Sequence, residues 1–130
     1  RPPFGELTAV DVKTRKVLWG KPLGSGRDSG PFNIPSHIPF TLGTPNTGGS
    51  MVTRGGLVFI AASQELAFRA VDLRTGRELW KQRLPAGGQA TPMSYISPKS
   101  GRQFVVLAAG GHSILQTKTG DYVIAYALPK

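Results

Sequence analysis

Apolar and polar residues alternate in short runs along this chain, and the most regular of these runs occurs twice. Ala9-Val10-Asp11-Val12-Lys13-Thr14-Arg15-Lys16-Val17-Leu18-Trp19 aligns with Ala70-Val71-Asp72-Leu73-Arg74-Thr75-Gly76-Arg77-Glu78-Leu79-Trp80, and Leu23 and Leu84 follow their tryptophans at the same distance. In each copy a period-two pattern flanks an Asp-x-x-Thr segment. That arrangement predicts a β-hairpin whose Asp and Thr side chains bond the backbone N–H groups of the turn. The tryptophan then falls on the second strand. Between the copies, Ser50 to Thr53 and Leu57 to Ser63 read as two further strands joined by Arg54-Gly55-Gly56. One full repeat is therefore four short strands, the unit of a β-propeller blade.

After Trp80 the pattern resumes at Ala90 to Ile96, turns at Ser97-Pro98-Lys99-Ser100-Gly101, continues through Phe104 to Ala109 and closes with Tyr122 to Leu128. The expected fold is all-β, built of four-stranded antiparallel propeller blades. Its expected divisions are the end of one blade (1–23), a long loop (24–49), a complete blade (50–84) and three strands of a further blade (85–130). The chain opens Arg1-Pro2-Pro3 without Met, so it reads as a piece of a longer polypeptide. A closed propeller needs at least four blades, so uncovered blade edges are expected here, and with them self-association of the fragment.

Composition supports this picture. The chain has 130 residues, 39% of them hydrophobic, with 17 Gly and 11 Pro, which is turn-dense yet apolar enough for a core and excludes both disorder and a helical bundle. There is no Cys, which removes disulfides and thiolate metal sites without fixing a compartment. No apolar run approaches the ~20 residues of a membrane helix. The formal net charge of +9 changes the picture less than its size suggests. The basic residues are scattered through turns and strand edges rather than clustered among aromatics, so they read as a solvated surface and not as a nucleic-acid interface.

Candidate chemistry lies in the irregular segments. Gly24 to Gly49 is long and rich in Gly and Pro, but Gly24-Ser25-Gly26-Arg27-Asp28-Ser29-Gly30 lacks the spacing of a phosphate loop. The run Gly43-Thr44-Pro45-Asn46-Thr47-Gly48-Gly49-Ser50 fits either a tight turn entering a strand or backbone brought close to a ligand. In Ala109-Gly110-Gly111-His112-Ser113, the two glycines allow a sharp turn that presents His112 either to solvent or into a cavity, where the imidazole can donate to a ligand or move a proton. His37 has no such context and reads as surface or loop packing. Neither His has a second His or a carboxylate at ligand spacing, so no metal site is expected within the chain, and no Ser-His-Asp or paired-carboxylate arrangement is present.

The paired hairpins resemble the tryptophan-docking motif of the quinoprotein dehydrogenases, eight-bladed propellers in which each Trp packs between neighbouring blades. The copy ending in Trp80 matches it fully, whereas Arg15 replaces the usual Gly in the copy ending in Trp19. The Gly43 to Ser50 run, Gly55-Gly56-Leu57-Val58-Phe59-Ile60, Leu84-Pro85-Ala86-Gly87-Gly88-Gln89-Ala90-Thr91-Pro92-Met93, the Gly110-Gly111-His112 loop and the closing Gly120-Asp121-Tyr122 and Ala125-Tyr126-Ala127-Leu128-Pro129 together resemble the C-terminal end of the membrane-bound glucose and quinate dehydrogenases that depend on pyrroloquinoline quinone (PQQ). The resemblance implies oxidation of a sugar or polyol, glucose first and quinate or shikimate next, by PQQ held with Ca²⁺ or Mg²⁺. It also implies ubiquinone as electron acceptor and a place on the periplasmic face of the bacterial inner membrane, with the anchor outside this chain.

By position, Gly110, Gly111 and His112 are implied to lie beside the quinone and substrate, with Gly48, Gly49 and Asn46 near the same mouth. Glu65 stands where members of the family often carry an Asp facing the pocket. Trp19 and Trp80 are implied to pack between blades. The family's metal ligands, catalytic Asp base and quinone-contacting Lys have no counterpart here, so the fragment alone is expected to be inactive and to need the remaining blades. A non-catalytic propeller, such as the scaffold lipoprotein of outer-membrane protein assembly, would share the Trp hairpins but would need neither the Gly-Gly-His loop nor the Gly-Thr-Pro-Asn run.

Overall fold

A computed structural model describes residues 1–129. Lys130, at the end of the third expected blade segment, lies outside them. The strands are β1 (Glu6–Asp11), β2 (Lys16–Pro22), β3 (Ser50–Val52), β4 (Leu57–Ile60), β5 (Ala67–Asp72), β6 (Glu78–Arg83), β7 (Met93–Ile96), β8 (Gln103–Ala109) and β9 (Tyr122–Tyr126). They form three antiparallel sheets in sequence order, β1-β2, β3-β4-β5-β6 and β7-β8-β9. The segment between β2 and β3 contains only short 3-10 turns at Gly26–Asp28 and Pro31–Asn33.

Where strand limits differ from the sequence pattern, local chemistry accounts for it. The strand read as Leu57 to Ser63 ends at Ile60, because Ala62 takes a left-handed φ of 42° and donates its N–H to Gly88 O of the next linker (3.0 Å). The strand read from Ala90 begins only at Met93, since Pro92 has no N–H to give to a ladder. The last strand ends at Tyr126 rather than Leu128, whose carbonyl accepts the Arg102 guanidinium instead.

The core lies between sheets rather than within one. Phe68, Leu107, Ala61, Leu84 and Val105 bury themselves between the second and third sheets, with Met51, Phe59, Ile124 and Tyr126 around them. Leu23 joins Ile60 and Ala62 between the first and second, flanked by Leu7. Central β5 is covered along almost its whole length, and outer β6 is exposed at every position. Each sheet is thus a blade that needs a neighbour on either side.

Tryptophan fastens the first junction. The Trp19 indole N–H donates to Leu73 O in the β5–β6 turn (2.9 Å), and the ring lies over Gly76. A Cβ at Gly76 would come within 2.7 Å of the Trp19 ring, and the residue has φ +68°, so both space and backbone call for glycine. Trp80 makes edge contacts with Phe68 and Tyr126, at 5.8 and 5.2 Å between centroids.

Candidate functional site

The loops at the ends of β2, β4, β6 and β8 converge, and the six-residue β4–β5 connection is their meeting point. Ser63 O accepts from Gln89 Nε2 (3.0 Å) in the linker between the second and third sheets. The Gln64 N–H donates to Thr44 Oγ1 (3.3 Å), and its Nε2 to Leu115 O (3.1 Å) in the β8–β9 loop. Glu65 is buried, and its carboxylate takes the Ser25 N–H (3.1 Å), the Arg69 guanidinium and Lys81 Nζ (2.6 Å). The Leu66 N–H donates to Asp28 Oδ2 (2.9 Å), and Arg83 grips the same carboxylate with both terminal nitrogens.

These contacts fix the charges. Burial pushes the Glu65 carboxyl up, but Lys81, Arg69 and the Ser25 N–H outweigh it and hold the group below its ordinary value. The balance is the same at Asp28, where burial is overcome by Arg83 and the Leu66 N–H. Both carboxylates are therefore ionised anchors for the long loop rather than proton carriers at neutral pH.

Between the pinned long loop and the β8–β9 loop lies an open cleft of about 710 Å³, lined by His37, Gln64, His112, Gln116, Lys118 and the Asp28–Arg83 pair among others. His112 reaches it because Gly111, at φ +79°, turns the chain back so closely that a Cβ would lie 2.5 Å from Lys118 O. The Gly111 N–H is tied to Gly87 O (2.9 Å), and the Gly120 N–H to Gly110 O (3.1 Å). The His112 N–H donates to Thr117 Oγ1 (2.8 Å), and its Nδ1 accepts from the Leu115 N–H (3.4 Å).

The structure distributes the other expected site residues differently. Gly110 and Gly111 carry the loop, but Glu65 does not line the cleft: its side chain turns into the ion cluster, and its neighbours Gln64 and Leu66 take the cleft wall. Asn46 is exposed, forms a bridge with Ser63 and donates from Nδ2 to Thr44 O (3.4 Å). Gly48 lies against the Gln89 backbone and Gly49 against Thr91, so this turn packs onto the next blade's entry segment. His37, read from sequence as surface or loop packing, lines the cleft with His112, because its N–H bonded to Arg27 O (2.9 Å) folds the long loop over it.

Sequence reasoning passed over Asp28, Arg83, Gln64, Gln89 and Thr117. Asp28 did carry a signal, as the sole acid in the long loop. The others look like ordinary polar residues until the blades come together.

The Lys118 ammonium and the hydrogen-bonding groups of His112, His37 and Gln64 suit an anionic, carbonyl-rich group such as a quinone carboxylate. For a metal ion the fit is absent: no group of three or more His, Asp or Glu side chains gathers among the described residues.

Adjacent antiparallel blades, fastened by an indole that bonds the next blade's turn, define the chain as a piece of β-propeller. It belongs to the PQQ-linked dehydrogenases: the family "Glucose/ethanol/alcohol dehydrogenase, beta-propeller domain" matches residues 1–105. Similar relatives include a quinate/shikimate dehydrogenase (quinone) of Acinetobacter baylyi, 54% identical over 100% of this chain and 16% of its own length. A glycerol dehydrogenase large subunit of Gluconobacter oxydans is 49% identical over 99% of this chain and 17% of its own. The quinoprotein glucose dehydrogenase of Escherichia coli is 48% identical over 99% and 16%. The quinohemoprotein alcohol dehydrogenase of Comamonas testosteroni shares the fold, with a TM-score of 0.66 at 22% identity over 98% of this chain and 17% of that one. The chain thus spans about one-sixth of the length of the curated relatives it matches.

Proposed function

We propose that this chain is the C-terminal part of a PQQ-dependent dehydrogenase that oxidises a sugar or polyol hydroxyl to a carbonyl, with glucose as the first substrate and ubiquinone as the electron acceptor. The observation that carries this is the cleft that His112 lines, whose donors suit a quinone and a polyhydroxylated substrate, in a chain of this family. PQQ, when bound, supplies the two-electron oxidant. The residues of this chain contribute binding and order. His112, Gln64 and Lys118 offer donors to oxygen atoms at the mouth, and the Asp28–Arg83 pair holds the long loop against it. Ca²⁺ or Mg²⁺, the catalytic base and the other quinone contacts belong to blades outside this chain, so the fragment alone is inactive. The whole enzyme works at the periplasmic face of the inner membrane.

Quinate is the second reading. It is favoured by the Lys118 ammonium beside the imidazoles of His37 and His112, which suits a substrate carboxylate, and by the likeness to the quinate/shikimate enzyme.

The test is reconstitution of the whole enzyme with PQQ and Ca²⁺ or Mg²⁺, followed by ubiquinone reduction with glucose and with quinate in parallel. Turnover with either, and none from this chain alone, is the expected result. Turnover of the isolated chain, or none from the reconstituted enzyme with any polyol, overturns the assignment.

A further inference from the structure

The His112 loop is held from outside by a chain of hydrogen bonds with only one consistent direction. The His112 N–H can only donate, so Thr117 Oγ1 accepts there (2.8 Å). That leaves the single hydroxyl proton of Thr117 to go to Gln89 Oε1 (3.1 Å). Gln89 cannot be flipped, because its Nε2 must face Ser63 O, which only accepts (3.0 Å). Thr117 is buried, and Gly87 leaves the room in which its hydroxyl meets the Gln89 amide, since a Cβ there would overlap both.

A second tether acts on the ring itself. The Leu115 N–H points at His112 Nδ1 (3.4 Å), while Leu115 O is held by Gln64 Nε2 from the neighbouring blade (3.1 Å). A backbone N–H only donates, so Nδ1 must offer a lone pair. The proton of the neutral imidazole is then on Nε2.

We propose that Thr117 and Gln89 are positioning residues that lock the His112 loop so that the imidazole presents Nε2–H to the cleft, as a hydrogen-bond donor to a ligand carbonyl or carboxylate oxygen. On this arrangement His112 does not serve as the base that takes the substrate proton. The inference rests on the proposed role of the cleft, but its first readout needs no ligand.

The experiment labels histidine with ¹³C and ¹⁵N in the whole enzyme without cofactor or substrate. The ring shifts of His112, assigned by their loss in His112→Gln, report the tautomer. A single Nε2–H tautomer is expected. In Thr117→Val the loop loses its hydroxyl anchor and His112 shows both tautomers, whereas Thr117→Ser keeps the parent spectrum. Gln89→Glu cuts the same chain at its other end, because a carboxylate cannot donate to Ser63 O, and it serves where Thr117→Val does not fold. The PQQ concentration for half-reconstitution should rise about tenfold in Thr117→Val, the worth of roughly one hydrogen bond.

A parent spectrum showing Nδ1–H or an even mixture overturns the proposal, and so does a parent-like spectrum in both Thr117→Val and Gln89→Glu. Failure of the whole enzyme to bind PQQ strikes the proposed function instead and leaves the tautomer result standing.

Discussion

In the first hairpin Ala9 faces Trp19 across a bulge, and in the second Ala70 faces Trp80 across the same bulge. The turns match as well. Asp11 accepts the N–H groups of Lys13 and Thr14 (2.8 and 3.3 Å), and Asp72 those of Arg74 and Thr75 (3.0 and 2.8 Å). Their surroundings do not match: Val71 in the second hairpin is 5% exposed and its counterpart Val10 is 52% exposed. The second turn receives Trp19 on Gly76, while the first turn carries Arg15 at the equivalent place, with a left-handed φ of 57°. One local motif is thus used twice, but only the second copy is shown with a neighbour docked on its turn. Hairpin geometry is local, and docking depends on what lies alongside.

The largest break in this pairing should come from Gly76→Ala. It places a methyl group against the Trp19 ring in a backbone region that favours glycine, and it should lower stability by about 2–3 kcal/mol in urea unfolding. The mirror change, Arg15→Gly, relieves a left-handed side chain and should raise stability by roughly 0.5 kcal/mol. A loss from Arg15→Gly as large as that from Gly76→Ala would mean that the two turns are docked alike.

A smaller effect separates the tryptophans. Trp19→Phe removes the bond to Leu73 O and should cost about 1 kcal/mol more than Trp80→Phe, whose indole N–H has no acceptor among the described residues. Equal losses in the two variants would remove the distinction drawn between them.

The last contrast is a slope with pH. Glu65 is held below its ordinary value of 4.5 by Lys81 and Arg69 against the opposing effect of burial. Because its pKa is lowered by folding, the stability it contributes is present above about pH 4.5 and is lost as the pH falls through the lowered value. Glu65→Gln should flatten that part of the acid unfolding curve more than Asp11→Asn does, since Asp11 is held down only by hydrogen bonds of an exposed turn. Acid curves flattened equally by both changes would show that the buried cluster has no special weight.

Much of the strand order was legible, because a strand writes its pattern in consecutive residues. Both Trp hairpins and the strands near Leu57, Phe104 and Tyr122 could be read from alternation and turn residues alone. The candidate site was legible only in part. Gly111 and His112 stand out as a glycine turn ahead of an imidazole, and His112 does line the cleft. Glu65 looked equally suited to a pocket, yet Arg69, four residues on, and Lys81, on the adjacent strand, draw its carboxylate into the protein. His37 looked like surface or loop packing, and it reaches the cleft because its N–H bonds Arg27 O in a loop that the Asp28–Arg83 pair anchors.

The sequence by itself determined the all-β architecture, the paired hairpins and the glycines at Gly76 and Gly111, because alternation, turn chemistry and backbone freedom are properties of neighbouring residues. Only the tertiary structure decided that Ser63 to Leu66 would join three loops, that Glu65 would be an anchor, and that Gln89 and Thr117 would hold His112. Those outcomes depend on contacts between residues far apart in the chain, as between Lys81 or Ser25 and Glu65, 16 and 40 positions away, and between Gln64 and Leu115, 51 positions apart. Whether a polar side chain is exposed or bonded at such a distance is settled only when one blade packs against the next.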